Sequence, residues 1–204
     1  MRKYTKKIDM INAEYICHSG GCPGADMAWE TEGEKYGVKT ISYSFHNHQQ
    51  EGKNQKILSP KELQEGYDAA KIADKTLKRN FDVIQYPYVK NLLARNWFQV
   101  KNAEAVYAIS KKFLSNNIVD GGTGWAVQMA IDSNKPIYVF DQVTNRWYKY
   151  NTNNNIFDPI SSTAPILTKN FAGIGTRDLT DSGLQAIIYT YIETIDYAFV
   201  RARE

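Results

Sequence analysis

Three stretches of this chain share one design, and that design limits the fold more than any other feature. At residues 118–130 (IVDGGTGWAVQMA) two β-branched residues and an Asp run into three glycines within four positions, followed by an uninterrupted helix former. Residues 19–26 (SGGCPGAD) repeat the scheme near the N-terminus and residues 172–177 (AGIGTR) near the C-terminus. A strand that ends in glycines and hands over to a helix is half of a βαβ unit, whose natural product is a parallel sheet. It also leaves the first N–H groups of the helix unpaired, at the positive end of its dipole, where phosphates and other anions are stabilised.

The rest of the chain alternates in the same way. Residues 14–18 (EYICH) read as a buried strand, residues 25–36 as the next helix, stopped by Gly37, and residues 38–45 (VKTISYSF) as the following strand. Residues 45–58 are polar and read as a long loop of the kind that carries binding segments. Ser59 then caps a helix with Pro60 at its first position and Glu62 at the capping-box position, running to about Arg79. After Pro87, residues 88–103 have helical spacing through Leu92, Leu93, Phe98 and Val100. Residues 105–109 (AVYAI) predict a strand, residues 110–117 a polar loop, the helix of the opening stretch reaches about Ser133, and residues 136–140 (PIYVF) predict another strand. Residues 146–156 (RWYKYNTNNNI) alternate aromatic and polar residues before a run of Asn, which predicts a β-hairpin, an edge appendage over residues 146–168. Residues 170–174 predict a last strand, and Thr180 or Asp181 caps a helix to about Arg201. The expected whole is one domain over residues 1–204: α/β, a Rossmann-like doubly wound, mainly parallel sheet with helices on both faces and a small β-hairpin appendage.

Composition narrows the partners. With 43% hydrophobic and 23% charged residues the chain matches ordinary globular proteins, and no run approaches the roughly 20 apolar residues of a membrane span. Residues 1–10 (MRKYTKKIDM) are not followed by the apolar segment of a signal peptide, so the expectation is a cytoplasmic protein with no membrane partner. A net charge of +3, with its one dense basic cluster at residues 2–7, speaks against nucleic acid as a partner; that cluster reads as a solvated tail. Cys17 and Cys22 are too few for a disulfide framework or a zinc site and should be free thiols. His46 and His48 have a spacing that serves metals, but no acidic or cysteine cluster completes a site, so neither metal nor cofactor is expected.

The three turns resemble those of the SLOG superfamily, which joins the DNA-processing protein A family to the Lonely Guy phosphoribohydrolases. Residues 16–42 (ICHSGGCPGADMAWETEGEKYGVKTIS) are similar to the strand, glycine turn, helix and strand of DNA-processing proteins, and residues 171–187 (FAGIGTRDLTDSGLQAI) to their strand ending in G-S-R with its helix. In those proteins the G-S-R segment comes first, whereas here it comes last, as circular permutation would give. The ordered set, completed by residues 92–109, GGTGWAVQMA and KPIYVFD, is similar to SLOG-like proteins of phages and their hosts. The resemblance implies a nucleotide-derived small molecule as ligand and a homo-oligomer as assembly. Lonely Guy enzymes carry PGGxGTxxE at the opening stretch, and on the glycines their catalytic acid aligns with Gln128, their Pro with Asp120 and their Thr with Trp125. An amide cannot act as a carboxylate acid or base. The implied function is therefore binding without cleavage: sequestration of an antiviral signalling nucleotide, of cyclic ADP-ribose or cyclic oligonucleotide type, by a phage anti-defence protein. Two rivals stay open, a phosphoribohydrolase using Asp26, Asp120 or Glu30 instead, and a single-stranded DNA binder.

The candidate ligand-binding residues follow the turns. In the opening stretch they are Gly121, Gly122, Thr123, Gly124 and Trp125: the amides of Gly122 to Trp125 face a phosphate, with the Thr123 hydroxyl as an added donor and the Trp125 ring as a candidate to stack on a base. In the first turn Ser19, Gly20, Gly21, Gly24 and Ala25 would form a second cradle, and Asp26 either complements the helix dipole or accepts from ribose hydroxyls. In the third, Gly173, Gly175 and Thr176 lead to Arg177, the best single candidate for a guanidinium fork on a phosphate or carboxylate. Arg95 and Asn96 are second-rank candidates on a helix with an apolar face. Cys22 sits near a helix start, but a nucleophile needs a base partner, and the sequence identifies none.

Overall fold

The structure, a computed structural model, describes residues 15–201; Glu14 and the basic cluster at residues 2–7 lie outside the described residues. In chain order the elements are β1 (Ile16–Ser19), α1 (Ala25–Lys35), β2 (Lys39–Ser44), β3 (Gln55–Ile57), α2 (Pro60–Leu77), a 3-10 turn (Phe81–Val83) and α3 (Pro87–Asn102). They continue with β4 (Ala105–Ser110), β5 (Phe113–Ser115), β6 (Ile118–Val119), α4 (Gly121–Asp132), β7 (Ile137–Asp141), β8 (Arg146–Asn151), β9 (Ile156–Pro159), β10 (Asn170–Gly175) and α5 (Asp181–Arg201).

Eight strands form one sheet in the order β3-β2-β1-β10-β4-β7-β8-β9. The first six are parallel, and β8 and β9 extend the sheet antiparallel. The fold is thus the expected α/β, Rossmann-like sheet. The chain winds from β1 outward to β3, crosses to β4 and winds outward the other way, then returns so that β10 fills the place between β1 and β4. The direction of winding reverses there, and the carboxyl ends of the parallel strands share one edge, the place where open α/β sheets bind ligands.

Successive residues of the central strands pack on opposite faces of the sheet, and both faces are covered. Ala105, Tyr107 and Ile109 of β4 pack in one cluster with Trp29 of α1 and with Ile187 and Tyr191 of α5. Val106 and Ala108 pack in the other, with Ala70 of α2, Leu93 of α3 and Ala126 of α4. All six residues of β4 are buried, so a strand covered on both faces reads as an apolar run rather than an alternating one. Among the described residues no helix is long and apolar enough to cross a membrane.

Local signals explain most boundaries. Ser59 Oγ accepts from the amide of Glu62 while Glu62 Oε2 accepts from the amide of Ser59, the expected capping box, and Pro60 and Pro87 sit in the first turns of α2 and α3. Two expectations need correction. The loop at residues 45–58 contains β3, an exposed edge strand (QKI) whose two polar residues and single Ile give no apolar alternation to mark it. The polar loop at residues 110–117 contains β5, which pairs with β6 in a small hairpin and packs Phe113 against Tyr148 and Phe157. The predicted hairpin at residues 146–156 forms as β8 and β9 and continues the main sheet at its edge, anchored by Trp147 against Phe140.

Candidate functional site

A cleft of about 630 Å³ lies at the carboxyl edge of the sheet, at the reversal of winding. Its walls come from α3, the start of α4, the turn after β10, and Cys22 and Asp26 of the first turn. Its apolar lining includes Ile84, Val89, Leu92 and Ile174. Its charged lining includes Arg79, Arg95, Lys111 and Arg177 among three carboxylates, Asp26, Asp120 and Asp178. Two ion pairs, Arg95–Asp26 and Lys111–Asp178, cancel most of that charge and leave Arg79 and Arg177 against Asp120.

The opening stretch meets the cleft at the start of α4. Asp120 is the N-cap, and its carboxylate accepts from the amide of Gly121 at 2.7 Å. The guanidinium of Arg79 donates to the carbonyls of Val119 and Gly121, and Asn96 Nδ2 donates to that of Gly122, which holds the turn in place. The amides of Gly122 and Thr123 have no partner among the described residues, and a Cβ at either Gly121 or Gly122 would meet nothing within 4 Å. Gly121 also has φ +63°, which only glycine adopts without strain. Gly124, by contrast, lies off the cleft, where a Cβ would collide with the carbonyl of Val119. Trp125 lines the cleft but is 4% exposed and packs against Phe81, so its ring serves the core more than a stacking role. Gln128, aligned above with a catalytic acid, lies outside the cleft lining and donates to Asp132.

The first turn is not a second cradle. The amide of Ala25 is spent on the carbonyl of Thr176 at 3.0 Å, and Gly24, at φ +96°, packs so closely that a Cβ would stand 2.6 Å from Thr176 O and Arg177 Cα. Ser19 is fully buried and donates to the carbonyl of Asp26. Gly20 makes room for the Arg95 guanidinium, and Gly21 for Gln50 of the loop before β3. Gly24 and Ala25 therefore interlock the first and third turns, while Ser19, Gly20 and Gly21 pack on Asp26, Arg95 and Gln50, and the side chains of Cys22 and Asp26 are what this turn contributes to the cleft.

Asp26 is committed to holding its neighbours. Its Oδ2 accepts from Arg95 Nη1 at 3.2 Å and its Oδ1 from the amide of Gly175 at 3.1 Å. Burial pushes its carboxyl above the usual range, against the pull of Arg95 and the Gly175 amide. Arg95 also donates to Gln99 Oε1 and to Cys22 Sγ, so the second-rank candidate of the sequence stands at the centre of the site. In the third turn Gly175, Thr176 and Arg177 line the cleft, whereas Gly173 lies beneath the Trp29 indole in the core. Arg177 is exposed and makes no ion pair with another described residue.

His48 supplies the partner that Cys22 lacked in the sequence. The loop after β2 is pinned by the amide of Glu51 on the carbonyl of Gly21, and it brings His48 Nε2 to 3.5 Å from Cys22 Sγ while Ser44 Oγ lies 3.2 Å from His48 Nδ1. Burial, with the charges of Arg95 and Arg177, holds His48 down at about 4; burial also pushes the Cys22 thiol up, opposed by the same arginines. His46 is exposed, and no group of three or more potential metal ligands occurs among the described residues. Arg79, Gln99, Lys111, Asp120 and Asp178 line the cleft without having been candidate ligand residues, and helix-end and loop positions such as these carry no local signal for it. Compared with protein-family models, curated proteins and solved structures, the chain matches none of them.

Proposed function

We propose that the cleft binds a nucleotide-derived small molecule and holds it unmodified. The observation that carries this reading is the convergence of the free Gly122 and Thr123 amides, the start of α4 and two guanidinium groups on one cleft that also has apolar lining residues. The volume suits a small-molecule ligand, the amides and dipole of α4 suit a phosphate, and Arg79 and Arg177 add charge-assisted donors. Ile84, Val89 and Leu92 offer an apolar surface to a base. Of the three carboxylates that could replace a catalytic acid, Asp26 holds Arg95 and Asp120 caps α4, and Glu30 lies outside the cleft lining. That favours retention over glycosidic cleavage.

Kinship with the SLOG superfamily belongs to the same proposal. Moving β10 to the front of the chain would turn the observed strand order into that of a doubly wound sheet whose chain starts at the centre, as the permuted resemblance requires. In this reading the ligand is a signalling nucleotide withdrawn from an antiviral pathway. The test is thermal unfolding with cyclic ADP-ribose, ADP-ribose and a cyclic dinucleotide as probes. One of them should raise Tm in a concentration-dependent way that Arg177→Ala weakens. No shift with any probe at millimolar concentration would contradict the proposal.

A further inference from the structure

Cys22, His48 and Ser44 form an arrangement that nucleotide binding does not use. Cys22 lines the cleft at 7% exposure, while His48 lies behind it, outside the lining, stacked on Phe45 with ring centroids 4.6 Å apart. The thiol thus stands between an imidazole on one side and the cleft on the other. Arg95 Nη2 donates to Cys22 Sγ at 3.3 Å, close enough to reach an oxygen on a carbon attached to that sulfur. The cleft also presents unused donors on buried side chains: Gln99 Nε2 and Arg95 Nε, on residues 0% and 4% exposed, have no hydrogen-bond partner among the described residues. Buried donors left without an acceptor are uncommon and mark a place where a ligand oxygen would satisfy them.

We propose that Cys22 is a nucleophile for acyl transfer, with His48 as its general base, acting on esters or amides that carry an anionic group. Ser44 Oγ accepts from His48 Nδ1–H, which leaves Nε2 to take the Cys22 thiol proton. The sulfur bonds to the carbonyl carbon, and the oxyanion that forms is met by Arg95 Nη2. The bond from that carbon to the leaving oxygen or nitrogen breaks, and His48 Nε2–H returns the proton to the leaving group. Water then gives a proton to His48 and its oxygen to the carbonyl carbon; the C–S bond breaks and the sulfur recovers its proton. The net change is hydrolysis of one ester or amide. Burial pushes the thiol up and holds the imidazole down, which disfavours a resting thiolate–imidazolium pair, so the proton passes to His48 Nε2 only as the sulfur bonds to the carbonyl carbon. Arg177, exposed at the same cleft, selects the anionic substrates. A nucleotide without an acyl substituent offers the thiol no acyl ester or amide with a leaving group to expel, so retention of such a ligand and acyl transfer are compatible.

The test uses p-nitrophenyl acetate and mono-p-nitrophenyl succinate on the full chain. Each should release a burst of about one equivalent of p-nitrophenol and leave its acyl group on Cys22, with buried Cys17 unmodified as an internal control. Cys22→Ser should abolish the burst, and His48→Gln should slow acylation by about 10²-fold, the lower range for loss of a general base. Should His48→Gln fail to fold, Ser44→Ala should slow the same step while Cys22 and His48 remain. The succinate should react faster than the acetate, and Arg177→Ala should erase that preference. Acylation elsewhere than Cys22, or at Cys22 with an unchanged rate in both base variants, would overturn the proposal.

Discussion

Arg95 Nη1 on α3 lies 3.2 Å from Asp26 Oδ2 on α1, with both side chains about 95% buried. The pair joins the two helix layers across the sheet edge, and Gly20 exists as glycine so that the guanidinium can lie over the end of β1. The two partners do not share the burden equally. Burial has already pushed the Asp26 carboxyl up, so it can take a proton if Arg95 is removed, whereas a guanidinium cannot lose one. Asp26→Asn should cost about 3–5 kcal/mol, the usual penalty for stranding a buried charge, and Arg95→Met clearly less. Urea unfolding of the two variants checks this; an Arg95→Met protein as unstable as Asp26→Asn would refute the asymmetry.

The glycines divide into those that pack and those that face the cleft. Gly20→Ala would drive a methyl group into the Arg95 guanidinium and should destabilise by about 1–3 kcal/mol. Gly122→Ala meets open space in the first turn of α4 and should be neutral or stabilise by up to about 1 kcal/mol. Under the binding reading it should nevertheless weaken the ligand, because the methyl group projects into the cleft. Tm together with a binding isotherm for a probe that shifts Tm separates the two effects, and a Gly122→Ala protein that binds as the parent does would place the anion elsewhere.

Arg177 should show the opposite balance from Arg95. It is exposed and makes no ion pair with another described residue, so Arg177→Ala should change stability by less than about 0.5 kcal/mol. It should weaken an anionic ligand by about 10-fold or more, the value of one charge-assisted hydrogen bond. Loss of stability without loss of affinity would make it a structural residue.

Acid should destabilise the fold partly through His48. Its pKa falls from 6.5 to about 4 on folding, so the unfolded chain takes up a proton below about pH 6.5 that the folded chain refuses until about pH 4. This contribution is fully present above pH 6.5 and is lost as pH falls through that window. The groups around the ring are Cys22, Ser44, Phe45 and Tyr88, with the charges of Arg95 and Arg177 beyond. His18, also held down by burial, acts in the same direction and is unaffected by a change at 48. The drop in Tm between pH 7 and pH 5 should be smaller in His48→Gln than in the parent; equal drops would show that His48 titrates normally.

The alternation of strands, glycine turns and helices was legible because it is local: Ala105 and Ile137 begin apolar runs, Val38 begins a β-branched and aromatic segment, and Ser59 and Pro60 start a helix. What was not legible depends on distance along the chain or on exposed polar residues. Residues 55–57 are two polar residues and one exposed Ile, and they become a strand only because β2 offers an open edge. The first turn has every local mark of a phosphate cradle, yet its Ala25 amide is taken by Thr176, 151 positions away, and no local pattern announces that. Arg95 and His48 reach Cys22 from a helix and a loop that the sequence alone does not place beside it. The glycines of the opening stretch were the most informative signal, and two of the three do face the cleft.

The central claim is that the cleft holds a small anionic molecule without cleaving its phosphates or sugars. Protein purified without added nucleotide and then denatured should release such a molecule, identifiable by mass spectrometry, in the parent and in reduced amount in Arg177→Ala. Release of nothing above background, or steady turnover of the released molecule when it is returned to fresh protein, would contradict the account.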